Sequence, residues 1–324
     1  MTFKDIISDR RRFISRLKFE DKSANLVSFS NPYSEQVAFV EALANPVVKR
    51  VIVLKPRQIG ISTANCADTF YETFAAKKPL RSLVVTDHNK TTKSMFMKFC
   101  TFYETLPAKV RLANQFKLNR TEKTLVSLRT GALIDHLTAR GDTHGRGWTY
   151  QRLVAEEVAF WPNADEIWGA LRSTLHDGPD QKIIIISTPN GPGDFYHERV
   201  LNAVDSIRQG DKSTRFIFSR WSDHQVYRKE VPAHWMIYGV DGIGEKRFRR
   251  EYPLTLEDGF LVLEGCWFDT DYLTQAMNAL PKELSGERRV YHPPELDKDY
   301  VIGCDPSWCS GGDYATACVM DEDG

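Results

Sequence analysis

The sequence predicts an α/β fold built on a doubly wound, mainly parallel β-sheet. Two observations indicate this class: four short apolar runs are typical of buried strands, and segments able to form helices separate them. The runs are residues 51–54, 83–86, 152–155 and 183–186. Ligands of such sheets bind beyond the carboxyl ends of the strands, so the polar side chains after each run are candidate site residues.

Composition and charge limit the class of protein. The 324 residues suffice for two domains, or for one large domain with an appendage. Basic and acidic residues number 43 each, so no global field attracts nucleic acid, and DNA contacts must come from local patches such as residues 10–12 and 246–250. The six cysteines lack C-x-x-C spacing. No apolar run approaches the length of about 18 residues that predicts a membrane span, so no membrane partner is expected.

A tight loop after the first run has features of a phosphate-binding loop. Residues 55–63 read Lys-Pro-Arg-Gln-Ile-Gly-Ile-Ser-Thr, and the residues that follow can form a helix. Gly60 and Ser62 fit the usual pattern G-x-x-x-x-G-K-[ST]. Ile61 stands where the lysine is usual, and Lys55 replaces the first glycine. The loop therefore keeps a cation, at its strand end instead of its helix end.

A segment about 20 residues before this loop is a candidate site for a nucleotide base. Tyr33 follows Pro32, and its ring offers a stacking surface. The Gln36 amide offers one donor group and one acceptor. The alternative interpretation is a surface turn that caps a helix.

A glycine- and arginine-rich loop at residues 139–147 follows a predicted β-hairpin. The hairpin consists of residues 125–128 and 132–137, around Thr130-Gly131. Arg140 and Arg146 lie among three glycines, and glycine lets the backbone approach a ligand closely. We expect this loop to contact phosphate, DNA or a neighbouring subunit.

Two carboxylates, Glu156 and Glu157, end the third apolar run. Acidic residues at the carboxyl end of a strand, beside a phosphate-binding loop, suit Mg²⁺ coordination and activation of water. Adjacent residues of an extended strand point to opposite sides, so the two carboxylates should have different tasks.

The fourth run ends in Ser187-Thr188, ahead of Pro-Asn-Gly. These hydroxyls can hold a water molecule or sense the terminal phosphate; an ordinary turn is the alternative. In a parallel sheet, the polar residues after the first, third and fourth runs converge on one edge. This convergence is a stronger indication of a nucleotide site than any one of the motifs.

The composition changes after about residue 212. A further strand is predicted at residues 215–218, and short mixed segments with three tryptophans suggest a small subdomain. Pro293-Pro294 marks a linker. Residues 299–305 then form a predicted strand that delivers Asp305, and Asp313 precedes a second strand at residues 315–320.

Taken together, these segments resemble the large terminase subunit of tailed double-stranded-DNA bacteriophages, over essentially the whole chain. Arg57-Gln58-Ile-Gly60-x-Ser62 resembles that family's Walker A loop, and some members also carry the lysine early, where Lys55 stands. Glu156-Glu157 resembles its Walker B pair, although its first position is usually aspartate. Ser187-Thr-Pro is similar to its coupling motif, and Tyr33 with Gln36 to its adenine-binding segment. Residues 250–253, with Phe260 and Gly265, are similar to the stretch that closes its ATPase region.

The resemblance implies an ASCE-type P-loop NTPase that uses ATP and Mg²⁺ to drive DNA into a capsid. Glu157 would activate the attacking water, while Ser62 and Glu156 would hold Mg²⁺. Ser187 and Thr188 would couple hydrolysis to movement. Lys55 and Arg57 would act on the phosphates in cis and Arg146 in trans, with Arg140 as second choice. The expected nucleotide-binding residues are Tyr33, Gln36, Lys55, Arg57, Gln58, Ile59, Gly60, Ile61, Ser62 and Thr63.

Asp305 and Asp313 are similar to the opening of the family's RNase H-like nuclease, which uses divalent metal ions. The later carboxylates of that nuclease are missing, and two-metal cleavage needs several acidic ligands around paired ions. We therefore expect an ATPase module with an inactive, incomplete endonuclease, as in a truncated chain. The predicted domains are an ATPase core at 1–210, a linker or lid subdomain at 211–294, and the first nuclease strands at 295–324.

The resemblance also implies partners and a location. Double-stranded DNA, a portal protein and a small terminase subunit are expected partners, in a homo-oligomeric ring that is weakly associated or monomeric when alone. The expected location is the cytoplasm of the infected bacterial host, transiently docked on the procapsid and not in the mature virion. Two alternatives stay open: a helicase or repair ATPase, and a nucleotide-dependent docking module without hydrolysis, which Ile61 and Glu156 favour.

Overall fold

The computed structural model consists of two compact units, Met1–Asn278 and Ala279–Gly324, each considered by itself. It describes residues 7–21, 23–140, 148–225, 242–260, 275, 283–285, 288–296, 298–305 and 316–321; at 283–285, 288, 305 and 316 the description covers the backbone only.

The strands of the first unit form a small hairpin and one large sheet. In the hairpin, β1 (Lys18–Glu20) pairs antiparallel with β2 (Leu26–Ser28). The sheet contains β3 (Arg50–Leu54), β4 (Arg81–Thr86), β5 (Phe116–Asn119), β6 (Thr124–Ser127), β7 (Leu133–Thr138), β8 (Arg152–Glu156), β9 (Lys182–Ser187) and β10 (Thr214–Phe218).

The order of the eight strands across the sheet is β10-β3-β9-β8-β4-β7-β6-β5. All pairs from β10 to β7 are parallel, and β7-β6 and β6-β5 are antiparallel. The four predicted parallel strands are confirmed as β3, β4, β8 and β9, and the predicted hairpin as β6 and β7. In register, Leu54 of β3 pairs with Ser187 of β9, and Glu156 of β8 pairs with Ile186 of β9.

Helices cover both faces of the sheet, which makes it doubly wound. Those described in the first unit are α1 (Arg10–Ile14), α2 (Ser34–Ala44), α3 (Ile61–Ala75), α4 (Asn89–Glu104), α5 (Ala108–Ala113), α6 (Ala164–Ser173), α7 (Phe195–Arg208), α8 (Glu245–Glu251) and α9 (Leu256–Gly259). On one face, Val51, Val53 and Ile184 pack in a core with residues of α1 to α5. On the other, Ile52 and Ile185 pack with residues of α6 and α7. Burial on both faces explains why these strands are apolar throughout.

Strand β10 differs from its predicted setting. It falls after the predicted boundary at residue 210, yet it pairs along its whole length with β3 as an edge strand of the central sheet. The sheet therefore extends past that boundary, and the segment that follows β10 starts from the sheet itself. The division into three domains stays a prediction.

In the second unit, the described residues form two small antiparallel hairpins. One joins β11 (Glu283–Ser285) with β12 (Arg288–Val290), and the other joins β13 (Tyr300–Asp305) with β14 (Thr316–Asp321). The two strands predicted after the proline linker are thus confirmed. Within the described parts of the chain, no helix has the length and apolar character needed to cross a bilayer.

Candidate active site

The phosphate-binding loop connects the end of β3 to the start of α3. Lys55 follows β3 directly, and its N–H donates to Ser187 O at 3.2 Å. Gln58 and Gly60 adopt left-handed backbone conformations, with φ of 60° and 79°. Helix α3 begins at Ile61, whose side chain is fully buried in the core. The usual lysine position therefore faces apolar packing, which leaves Lys55 as the lysine of the loop.

Gln36 clamps the loop to the start of α2. Its Oε1 accepts from Tyr33 N–H at 3.0 Å, and its Nε2 donates to Gly60 O at 3.0 Å. A Cβ atom on Gly60 would lie 2.5 Å from that Nε2, and φ of 79° already favours glycine. The Gln36 amide thus holds the loop in this structure, and its contact with a base stays a prediction.

Lys55, Glu157 and Thr188 form a hydrogen-bonded cluster at the carboxyl edge of the sheet. Lys55 Nζ donates to Glu157 Oε1 at 2.9 Å. The Thr188 hydroxyl and N–H donate to Glu157 Oε2 at 3.1 and 3.2 Å. The Lys55 side chain is only 5% exposed, whereas that of Glu157 is 25% exposed. The carboxylate is therefore the more solvent-accessible member of the pair.

The other carboxylate, Glu156, turns toward α3. Its Oε2 accepts from Ser62 Oγ at 2.8 Å, and its Oε1 accepts from Asn65 Nδ2 at 3.2 Å. Asn65 was not among the predicted site residues. Its spacing of three residues after Ser62 puts both on one face of a helix, and this spacing was a usable signal.

The two carboxylates separate for a different reason from the one predicted. Strand β8 ends at Glu156, and Glu157 adopts a left-handed backbone conformation, with φ of 54° and ψ of 44°. The alternation of side chains along a strand is therefore not the cause. The left-handed turn directs Glu157 toward Lys55, and its N–H donates to Ile186 O at 2.7 Å. Such a conformation is costly for glutamate, and strain of this kind concentrates at functional sites.

The pKa values of the two carboxyl groups are shifted in opposite directions. Burial raises the pKa of Glu156 to about 7, and the neighbouring Glu157 adds to the shift while Lys55 and Ser62 oppose it. Burial also acts to raise the pKa of Glu157, but the Lys55 charge and the hydrogen bonds from Lys55 and Thr188 outweigh it and lower this pKa. At neutral pH, Glu157 is therefore ionised, as a general base requires, whereas Glu156, with a pKa of about 7, is only partly ionised.

We expect Glu156→Gln to make the protein more stable than the wild type at about pH 8, with no gain below about pH 4.5. Folding raises the Glu156 pKa from 4.5 to about 7. Between these values the folded state holds a proton that the unfolded state has released, so the wild-type free energy of unfolding falls as pH rises, by about 3 kcal/mol in total. Glutamine does not titrate, so urea unfolding of both proteins across this range should show the difference. Identical pH dependence would contradict the shift.

A cavity of about 720 Å³ lies against the loop. Its wall includes the loop residues from Gln58 to Thr63, with Lys55, Tyr33 and Gln36. The β1–β2 hairpin, Lys98 of α4 and His224 complete it. The Tyr33 and His224 rings lie 4.3 Å apart between centroids, so two aromatic rings stand where a base could stack. Nothing in the sequence around His224 predicted this position, because it is distant along the chain.

The remaining predicted residues have varied positions. Arg57 is ion-paired with the buried Glu251 at 2.5 Å and does not line the cavity, so its contact with phosphate stays a prediction. Ser187 Oγ donates to Thr188 O at 2.7 Å, and its coupling role likewise stays a prediction. Arg140 is exposed, and Asp305 is the last residue of β13. Arg146 and Asp313 lie outside the described residues, so the trans arginine and the nuclease site stay predictions.

The donor atoms of Ser62 and Glu156 suit the Mg²⁺ ion that the sequence predicts there. A hydroxyl oxygen and a carboxylate oxygen within 2.8 Å of each other are both hard ligands of the kind that Mg²⁺ prefers. Across the described ranges, no cluster of three or more His, Cys, Asp or Glu side chains could hold a metal by itself. One or two protein oxygens are the usual complement when phosphates supply the other ligands.

The sheet order, the loop between β3 and α3, and the carboxylates after β8 define a P-loop NTPase fold. No protein-family model matches the chain. Among solved structures, the large terminase ATPase domain of Thermus phage P74-26 is similar, with a TM-score of 0.57 and 22% sequence identity over 68% of this chain and 92% of that one.

A second similar structure is the large terminase of bacteriophage HK97. The TM-score is 0.54 and the sequence identity 13%, over 94% of this chain and 62% of that one. At sequence identities this low, the structural similarity establishes a shared fold and nothing finer. The predicted resemblance to phage large terminases is therefore confirmed for the fold.

Proposed function

We propose that this chain is the ATP-hydrolysing motor subunit of a phage terminase, which drives double-stranded DNA into a procapsid. The observation that carries the proposal is the meeting of Lys55, Glu157 and Thr188 beside a phosphate-binding loop. A cation, an ionised carboxylate and a hydroxyl on adjacent strand ends are the groups that ATP hydrolysis needs.

In this proposal each group has a separate task. Backbone N–H groups of the loop and the start of α3 bind the β- and γ-phosphates. Lys55 adds positive charge at the strand end. Glu157 orients the attacking water and takes its proton, and Thr188 holds the Glu157 carboxylate in place.

Ser62 and Glu156 are the residues that would hold Mg²⁺. When bound, the ion neutralises charge on the phosphate oxygens. Asn65 fixes the Glu156 carboxylate through Oε1 and leaves Oε2 turned to Ser62. The two side chains of the metal site are therefore already oriented by the protein.

The terminase task and its partners come from the resemblance and the shared fold. We propose a ring of copies that engages duplex DNA, a portal protein and a small terminase subunit in the cytoplasm of an infected bacterium. Arg146, or Arg140, would reach the nucleotide of the adjacent copy. A trans arginine is worth about 10³–10⁵ in rate, so an isolated chain is expected to hydrolyse ATP slowly.

Phosphate release from ATP tests the proposal. It should be measured for the chain alone, with linear duplex DNA and with single-stranded DNA, in Mg²⁺ buffer. We expect slow hydrolysis that increases with duplex DNA. Absence of nucleotide binding would overturn the proposal. Binding without hydrolysis in every condition would indicate a docking module, and unwinding of a tailed duplex would indicate a helicase.

A further inference from the structure

We propose that Lys98 is a second lysine of the nucleotide site and binds a phosphate group of ATP or ADP. The inference rests on the proposed function and deepens it, because it assigns part of the phosphate charge to a residue outside the loop. Its basis is the position of Lys98 in the cavity wall and the pairing state of the charged groups there.

Lys98 lies on α4, the helix that packs beside α3. Its side chain is half-buried and lines the same cavity as Gly60, Ser62 and Thr63. The charge of Lys98 also acts on Cys66, one turn beyond Ser62 on α3: burial raises the pKa of that thiol to about 12, and Lys98 opposes the shift. The ammonium therefore lies within electrostatic range of the first turns of α3.

The other cation of the cavity is already committed. Lys55 Nζ donates to Glu157 Oε1 at 2.9 Å, so this ammonium already faces a carboxylate of the protein. Ile61, at the usual lysine position, brings no charge and is buried. A triphosphate brings several negative charges, more than the proposed Mg²⁺ ion and one lysine that is already paired can balance. The cavity thus needs a further cation.

Lys98 meets that need because no described residue forms an ion pair or hydrogen bond with it. The acidic residues of the wall are Glu20, which is exposed, and Asp21. Asp21 accepts from the N–H groups of Ser23 and Asn25 at 2.8 and 2.9 Å, within its own turn. A half-buried ammonium without a protein partner is costly unless water or an anion solvates it. An anionic ligand in this cavity would supply the missing partner.

Titration calorimetry with ADP, ATP and adenosine tests the inference, because it measures binding and does not require ATP hydrolysis. The variants are Lys98→Ala, Lys98→Gln and Lys98→Arg, with Lys93→Ala as the matched control because Lys93 is an exposed lysine on the same helix. Loss of one charge-assisted hydrogen bond should weaken ADP and ATP binding about tenfold in the first two variants. Lys98→Arg should restore binding, and Lys93→Ala should match the wild type.

Two further readouts separate a phosphate contact from a structural role. Adenosine affinity should be the same in all variants. The salt dependence of ADP affinity should become shallower in Lys98→Gln, since one charge no longer attracts the phosphates. Lys98→Gln keeps the polar side chain, so it serves if Lys98→Ala fails to fold.

The outcomes are distinct from those of the proposed function. If the wild type binds neither ADP nor ATP, the proposed function fails and the role of Lys98 fails with it. If the wild type binds both and Lys98→Gln binds them equally well, only the role of Lys98 is overturned. An equal loss for adenosine would place Lys98 on the nucleoside and would also overturn the phosphate contact.

Discussion

Replacing Glu157 with glutamine is expected to slow ATP turnover by orders of magnitude and to leave ATP binding intact. The carboxylate accepts from the Lys55 ammonium and from the Thr188 hydroxyl and N–H, and its lowered pKa keeps it ionised at neutral pH. Glutamine preserves the size of the side chain and an oxygen that accepts from Lys55, but it cannot take a proton from water. We expect kcat to fall by about 10²–10⁴.

Phosphate release and equilibrium binding of ATP, measured on the same preparations, check this expectation. Glu166→Gln is a suitable control because Glu166 is an exposed glutamate on α6. It removes one carboxylate without touching the site, so it should leave both quantities unchanged. Wild-type turnover in Glu157→Gln would show that another group activates the water.

Replacing Lys55 with alanine should weaken ATP binding and lower the free energy of unfolding. Loss of a charged partner for phosphate should reduce ATP affinity about 10- to 100-fold. The same change leaves the Glu157 carboxylate without its cation. Because Glu157 is partly exposed, we expect a loss of about 2 kcal/mol in the free energy of unfolding, below the range for a fully buried pair.

A double variant separates these two effects. In Lys55→Ala/Glu157→Gln the unpaired charge is gone, so stability should recover while ATP affinity stays low. Urea unfolding and ATP titration give the two quantities, and Lys109→Ala, at an exposed lysine of α5, is the control. If ATP affinity recovered together with stability, Lys55 would act through the fold and would have no direct contact with phosphate.

Much of the fold was accessible from the sequence, because parallel strands buried on both faces leave unmistakable apolar runs. The runs that became β3, β8 and β9 are of this kind. The position of β10 in the sheet could not be predicted, because the residue pattern of one strand does not determine which strand it pairs with. The β1–β2 hairpin was missed because strands of three residues are too short to show an alternation.

The site was predictable only where the residues stand in a motif. Lys55, Ser62 and the two carboxylates were identified, and the structure brings them together. The left-handed turn at Glu157 was not predictable, because glutamate does not favour it and only tertiary contacts impose it. His224 and Lys98 are distant in sequence from the phosphate-binding loop, and the residues around them form no motif that indicates a nucleotide site.

Lys55 is the first residue of the loop, and the sheet fixes the backbone on its strand side. Leu54 pairs with Ser187 on one side and with Phe218 on the other, so the backbone just before Lys55 is held between two strands. The position of the Lys55 ammonium is thus set by strand pairing, whereas the N–H groups expected to bind phosphate depend on the conformation of the loop. In the proposed function, attraction of the nucleotide by Lys55 therefore depends on the sheet and its retention by N–H groups depends on the loop, so a substitution can alter one without the other.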